Sequence, residues 1–211
     1  MRNLLKFAIA ASAAMTFASP SSAAVTICLG GGCAGSNPTS NVLFKKNTTG
    51  TSINATLNKS PGIVTFASSE SLSTQASGQA SIFASDGVLN NPITISYLDG
   101  LISKLELNID SSSSGNVTFS FFGGDSDGLV LGAYALNSNG GNFFNAFNGT
   151  FKSVTLSFGN GAMVQNISQV RVTAAGAVPE PATWGLMLMG FAGVGFAMRR
   201  RKDAAPKVHF A

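Results

Sequence analysis

The run Ile102-Ser103-Lys104-Leu105-Glu106-Leu107-Asn108-Ile109 decides the fold class, because its residues alternate between apolar and polar. Successive side chains of an extended strand point to opposite faces, so Leu105, Leu107 and Ile109 share one face and Lys104, Glu106 and Asn108 the other. A helix, with its 3.6-residue period, would spread the same residues around its circumference. Working outward, Phe119 and Phe121 alternate with Thr118 and Ser120 in the same way. Candidate strands cover residues 63–67, 80–84, 93–98, 101–109, 117–122, 129–136, 151–158 and 170–173. Linkers rich in Gly, Ser, Asn and Asp at 111–115, 123–128, 137–142 and 159–161 punctuate them. No long helical period intervenes, which predicts an all-β antiparallel β-sandwich or jelly-roll-like domain rather than a parallel sheet. Residues 42–44 and 53–57, inside a polar stretch, read as edge strands. The Ser, Gln and Ala tract at 68–81 reads as a loop or another exposed strand, and no internal repeat is present.

The two ends have a different character. Arg2 and Lys6 precede an uncharged, mostly apolar stretch at 7–18, followed by small residues with Ser22 and Ala24 at the minus-three and minus-one positions of a cleavage site. This is the layout of a secretory signal peptide over residues 1–24, formed as an N-terminal signal helix and removed by signal peptidase. Cys28 and Cys33 follow soon after, five residues apart around Leu29, Gly30, Gly31 and Gly32. Val25, Thr26 and Ile27 do not supply the small residue that a lipid-modified Cys28 would need before it. In an exported chain the pair predicts one small disulfide loop, and the further Cys or His ligands of a zinc site are missing.

Residues 184–198 form a fifteen-residue uncharged apolar run, followed at once by Arg199, Arg200, Arg201 and Lys202. As a helix it is about 22 Å long against a hydrocarbon core of about 30 Å, which is short for a span. Extension back to Ala182 and snorkelling of the arginines narrow the mismatch. The expectation is a C-terminal transmembrane helix with its basic end in the cytoplasm.

Pro179, Glu180, Pro181 and Trp184, then Gly190, Phe191 and Gly195, then Arg199, Arg200 and Arg201 together resemble the PEP-CTERM sorting signal in its proteobacterial variant, with Trp three residues after the second proline. The resemblance covers 179–202, leaving 203–211 as a cytoplasmic tail. It implies recognition by an exosortase, an integral-membrane cysteine transpeptidase-like enzyme, and cutting near Pro179 to Pro181. The two prolines are expected to hold an extended segment outside the membrane. The implied itinerary runs through an inner-membrane intermediate to the cell surface or extracellular matrix.

Once the ends are set aside, the chain's basic balance disappears. Arg2, Lys6, Arg199, Arg200, Arg201, Lys202 and Lys207 belong to the targeting segments, leaving six basic against seven acidic residues in the domain at 25–178. Without a basic patch, nucleic-acid binding has no electrostatic support. About 150 residues suffice for one ordinary core.

The single histidine, His209, lies in the tail, so Ser-His-Asp or Cys-His catalysis is not available to the domain. A carboxylate pair for glycoside hydrolysis could come only from Glu70, Asp86, Asp99, Glu106, Asp110, Asp125 and Asp127, most of them beside turn residues. The sequence therefore predicts a non-enzymatic structural or adhesive protein without a cofactor. Asp125 and Asp127, one residue apart on a glycine turn, are the weak calcium candidates, and the rest of an EF-hand loop is absent. The runner-up is a carbohydrate-binding module for extracellular polysaccharide. Its aromatic candidates are Tyr97, Tyr134 and the cluster Phe143, Phe144 and Phe147, whose burial preference favours a strand-edge contribution to the core over an exposed platform.

Overall fold

A computed structural model of the chain describes residues 23–31, 33, 35–75, 79–176 and 181–201. The expected signal peptide, apart from Ala23 and Ala24, lies outside these residues, as does the 203–211 tail. In chain order the elements are β1 (Thr26–Leu29), β2 (Ser40–Leu43), β3 (Thr49–Leu57), β4 (Ile63–Thr74), β5 (Ser81–Ala84), β6 (Ile93–Tyr97) and β7 (Ile102–Ser111). They continue with β8 (Gly115–Phe122), β9 (Val130–Leu136), β10 (Asn142–Phe147), β11 (Ser153–Gly159), β12 (Val164–Ala174) and the helix α1 (Pro181–Arg201). The domain is all-β, as its alternation predicts.

The strands pair antiparallel in the order β1-β10-β7-β12-β2-β3-β4-β6-β11-β8-β9, and β5 pairs with both β12 and β4. One continuous hydrogen-bonded sheet thus folds back on itself. Phe119 on β8 and Phe144 on β10, remote in strand order, meet with ring centroids 5.2 Å apart. Tyr134 on β9 closes on the same Phe144 at 6.1 Å.

Register explains the core. Ile53, Phe66, Ile95, Val154 and Phe121 are aligned across β3, β4, β6, β11 and β8, and all five are buried. Each large apolar side chain buried this way stabilises the fold by about 1.5–3 kcal/mol. Slipping any of these strands by one residue would turn its apolar set to the outside, so the pattern also specifies the pairing.

Several expectations are corrected. β2 and β3 are interior strands, because β2 joins β12 to β3 and β3 joins β2 to β4; the ends of the strand order are β1 and β9. The polar 68–81 tract is strand as far as Thr74, where Leu72 and Thr74 alternate inward and pair with β5. β1 and β10 were not foreseen: β1 is four residues within a polar stretch, and the sequence NFFNAF of β10 does not alternate.

On β7, Leu105, Leu107 and Ile109 do share the core face. The opposite face is not open, however: Glu106 and Asn108 are buried as well.

Candidate functional sites

That second face is met by the disulfide loop and by the residues that follow it. Cys28, within β1 opposite Asn145, is joined to Cys33, with Cα atoms 6.5 Å apart. The segment touches β10 through Gly30 and β12 through Pro38, on either side of β7 in the strand order. Gly30 N donates to Phe143 O (2.9 Å) and Asn145 Nδ2 donates to Gly30 O (2.8 Å). Ser36 and Pro38 are buried, and Arg171 Nη2 donates to Pro38 O (3.0 Å).

Beneath this cover the register places Asn145 and Arg171 on either side of Glu106. Asn108 Nδ2 donates to Ser168 Oγ (3.4 Å), and the Oδ1 atoms of Asn108 and Asn145 are buried without a hydrogen-bond partner. Sequence reasoning missed this polar layer because strand alternation marks a face as polar without showing what lies over it.

The carboxylates mostly serve the backbone. Asp127 Oδ1 accepts from Gly123 N (2.7 Å), and Asp125 Oδ2 accepts from Thr150 Oγ1 (2.9 Å), around a 3-10 turn at Gly124–Ser126. Gly123 and Gly124 have φ of 71° and 66°, a conformation glycine adopts without penalty. Among the described residues no group of three or more His, Cys, Asp or Glu is placed to hold a metal. Asp125 and Asp127 therefore gain no third acidic ligand.

Asp99 Oδ2 caps Ile63 N (2.8 Å), Glu70 accepts from Asn90 N and Asn91 N (3.3 and 3.1 Å), and Asp86 accepts from Val88 N (3.4 Å). Asp110 accepts from Gly141 N (3.3 Å) and Asn166 Nδ2 (3.1 Å). Asp99 and Asp125 line one depression of about 410 Å³ with Gly100, Leu101, Thr150, Ala175 and Gly176.

The aromatic candidates do not form an exposed platform. Tyr97 and Phe144 are buried, and Tyr134, Phe143 and Phe147 are half-buried. Tyr97 Oη donates to Pro61 O (2.9 Å). Burial, and then the Asp99 carboxylate, push its phenol above the usual value.

The sorting residues lie at the chain's last turn of organisation. Ala175 N still donates to Leu101 O (2.8 Å), so only residues 176–180 separate the sheet from α1. Pro179 and Glu180 fall outside the described residues. Pro181 is the first residue of α1 rather than part of an extended segment, which suits a residue whose fixed φ and missing N–H match the first helical position. Trp184, Gly190, Phe191 and Gly195 follow on the helix, and Arg199, Arg200 and Arg201 close it.

Phe191, Val194 and Met198 are each more than half exposed. Among the described residues no helix is long and apolar enough to cross a membrane.

No curated protein and no solved structure matches the chain. A family model described as the PEP-CTERM protein-sorting motif matches residues 177–202, which contain every sorting residue named above. The chain therefore ends in a PEP-CTERM sorting signal, the mark of an exported protein recognised by an exosortase.

Proposed function

We propose that this chain is a structural or adhesive protein of the cell surface or extracellular matrix, exported through a signal peptide and handed to an exosortase at its C-terminus. The sorting motif at 177–202, beginning two residues after the sheet's last hydrogen bond at Ala175, carries the reading. The domain between the signals is a sandwich-like sheet whose carboxylates are committed to capping turns, to side-chain hydrogen bonds and to Arg171, which fits a binding or scaffolding body better than an enzyme. Signal-peptidase cutting before Val25 leaves a new terminus whose nitrogen lies 3.3 Å from Ser126 Oγ, held by the fold it opens.

Within the itinerary, α1 is a short membrane segment with Arg199 to Arg201 on the cytoplasmic side. A run near 22 Å is marginal for stable residence in a core near 30 Å, and that suits an intermediate awaiting release. The test is the intact mass of the protein recovered from its native cell surface. Wild type is expected to lack both the signal peptide and residues 184–198. A variant with Pro179, Glu180 and Pro181 replaced by Ala is expected to stay full length after signal removal and to sediment with membranes. Equal release of the two proteins, or a wild type that keeps its tail at the surface, would sink the assignment in favour of an ordinary anchor.

Polysaccharide binding remains the second reading. With Tyr97 and Phe144 in the core, it cannot rest on the expected aromatic platform and needs a different surface.

A further inference from the structure

That surface is the outer face of the β3-β4-β6-β11-β8-β9 half of the sheet. Two register rows cross it. One aligns Asn54, Thr65, Ser96, Ser153 and Phe122; the next aligns Ser52, Ala67, Thr94, Thr155, Ser120 and Val130. All of these residues are exposed or half-buried, whereas the residues between them on the same strands form the buried core rows.

The face has almost no charge. Across the six strands the only Asp, Glu, Lys, Arg or His is Glu70, whose carboxylate is taken up by Asn90 N and Asn91 N. The whole chain is only 10% charged, and these strands carry still less of that charge, so the face is left to hydroxyl, amide and small apolar side chains. Neighbouring strands lie about 4.8 Å apart and same-face residues about 6.8 Å apart along a strand, which sets the hydroxyl and amide groups, with Ala67 among them, in a regular grid. Parts of the grid are already ordered. Thr94 Oγ1 and Thr155 Oγ1 are 2.7 Å apart, and Thr65 Oγ1 donates to Asn54 Oδ1 at 2.8 Å. At the β8 and β9 end both rows finish in an exposed apolar side chain, Phe122 (47%) and Val130 (61%).

We infer that this face is a docking surface for an extended, neutral polysaccharide. A polyanion or an anionic membrane gains little from it, because the six strands carry no Lys or Arg and only Lys152, just before β11, stands beside the rows. An apolar partner meets only Ile63 and Ala67 on β4 and the Phe122 and Val130 margin. Hydroxyl groups both donate and accept, so the grid matches a partner whose own groups do both, and the apolar margin offers a stacking position for the flat side of a sugar ring. Each hydroxyl contact is weak after exchange with water, so affinity comes from many contacts along a repeating polymer. The inference rests on the adhesive reading given above and adds to it the ligand class and the face.

The test uses the exported protein recovered from cells, in depletion assays on insoluble neutral polysaccharides (cellulose, chitin and cross-linked dextran) and on alginate gel as the anionic comparison. Thr94→Lys and Ser120→Lys place charge in the grid, Phe122→Ala removes the apolar margin, and Ser112→Lys puts the same charge on an exposed loop elsewhere. Circular dichroism checks that each variant folds; Thr155→Lys stands in for any that does not.

The expected result is binding to at least one neutral polymer, unchanged by salt, weakened at least tenfold by a grid lysine and severalfold by Phe122→Ala, and indifferent to Ser112→Lys. Binding that ignores the grid variants overturns this inference while leaving the adhesive reading intact. Binding to alginate alone, or concentration-dependent self-association abolished by the grid lysines, assigns the face to another partner and overturns it too. No binding to any polymer removes the inference together with the adhesive reading, leaving a structural role and the sorting assignment in place.

Discussion

Arg171 Nη1 donates to Glu106 Oε1 at 3.1 Å across the β12–β7 ladder, and the same guanidinium donates through Nη2 to the Pro38 carbonyl of the covering segment. One side chain thus neutralises a carboxylate whose side chain is only 10% exposed and fastens the cover over it. Arg171→Ala is expected to lower unfolding free energy by about 1–3 kcal/mol, since it leaves the carboxylate desolvated and the carbonyl without its donor. The double variant Arg171→Met with Glu106→Gln is expected to lose less than the sum of its singles in urea unfolding. Additive losses would show that the pair contributes through solvent-exposed contacts alone.

The disulfide acts on the same cover. Cys28→Ser with Cys33→Ser opens a loop of five residues' separation, and the chain-entropy estimate for so short a loop is about 2 kcal/mol. Hydrogen exchange is expected to rise first at Gly30, whose amide bonds to Phe143 O, while the amides of β4 and β6 stay protected. Uniform exchange across the domain, or labelling of both thiols in the exported wild type, would contradict this picture.

The protein's two tyrosines make alkaline titration a clean probe. Tyr97 is raised above 10.0 by burial first and by Asp99 second, and Tyr134 is raised by burial. A folded-state pKa above the unfolded one means that the native state holds the proton more tightly. The associated stability is therefore present in full below about pH 10 and is lost as pH climbs through the raised values. Phenolate absorbance is expected to appear above the usual pH and to coincide with loss of the β-sheet signal. Gly62→Ala, at φ 126° with an added Cβ driven into the Tyr97 ring, is expected to displace the ring, bring its ionisation back toward pH 10 and destabilise the fold. Normal titration in the intact wild type would refute the burial argument.

For the tail, replacing Arg199, Arg200 and Arg201 with Ala should affect a different step from the loss of the Pro179-Glu180-Pro181 motif. Without the basic stop, the C-terminus is expected to slip across the membrane and become sensitive to added protease in spheroplasts, with a lower processed fraction. Wild type and the motif variant are expected to keep that end protected until processing. Identical protease sensitivity in all three would argue that the arginines do not set the orientation.

The sequence by itself determined what is local. Alternation at Leu105, Leu107 and Ile109 follows from the two-residue period of an extended backbone, which holds wherever the strand ends up. The order and spacing of Pro179, Trp184 and Arg199 to Arg201 address enzymes that read a linear segment, and the five-residue gap between Cys28 and Cys33 is within a disulfide's reach along the chain itself.

Only the tertiary structure decided which strands are neighbours and what lies over each face. Nothing near residues 40–57 shows that β2 has a second neighbour and is not an edge, because its partner β12 comes from the far end of the chain, whereas β3 pairs with the strands next to it in sequence. Glu106, Asn108 and Asn145 read as ordinary outward polar residues, yet all three are buried in the fold, with Gly30 of the disulfide loop against Asn145 and Pro38 held by the Arg171 that pairs with Glu106. Thr94, Thr155 and Ser120 are scattered small residues in the sequence and become one row only when β6, β11 and β8 pair in register. The physical reason is the same in each case: strand geometry is a property of consecutive residues, whereas burial and surface pattern are properties of segments tens of residues apart that the chain must first bring together.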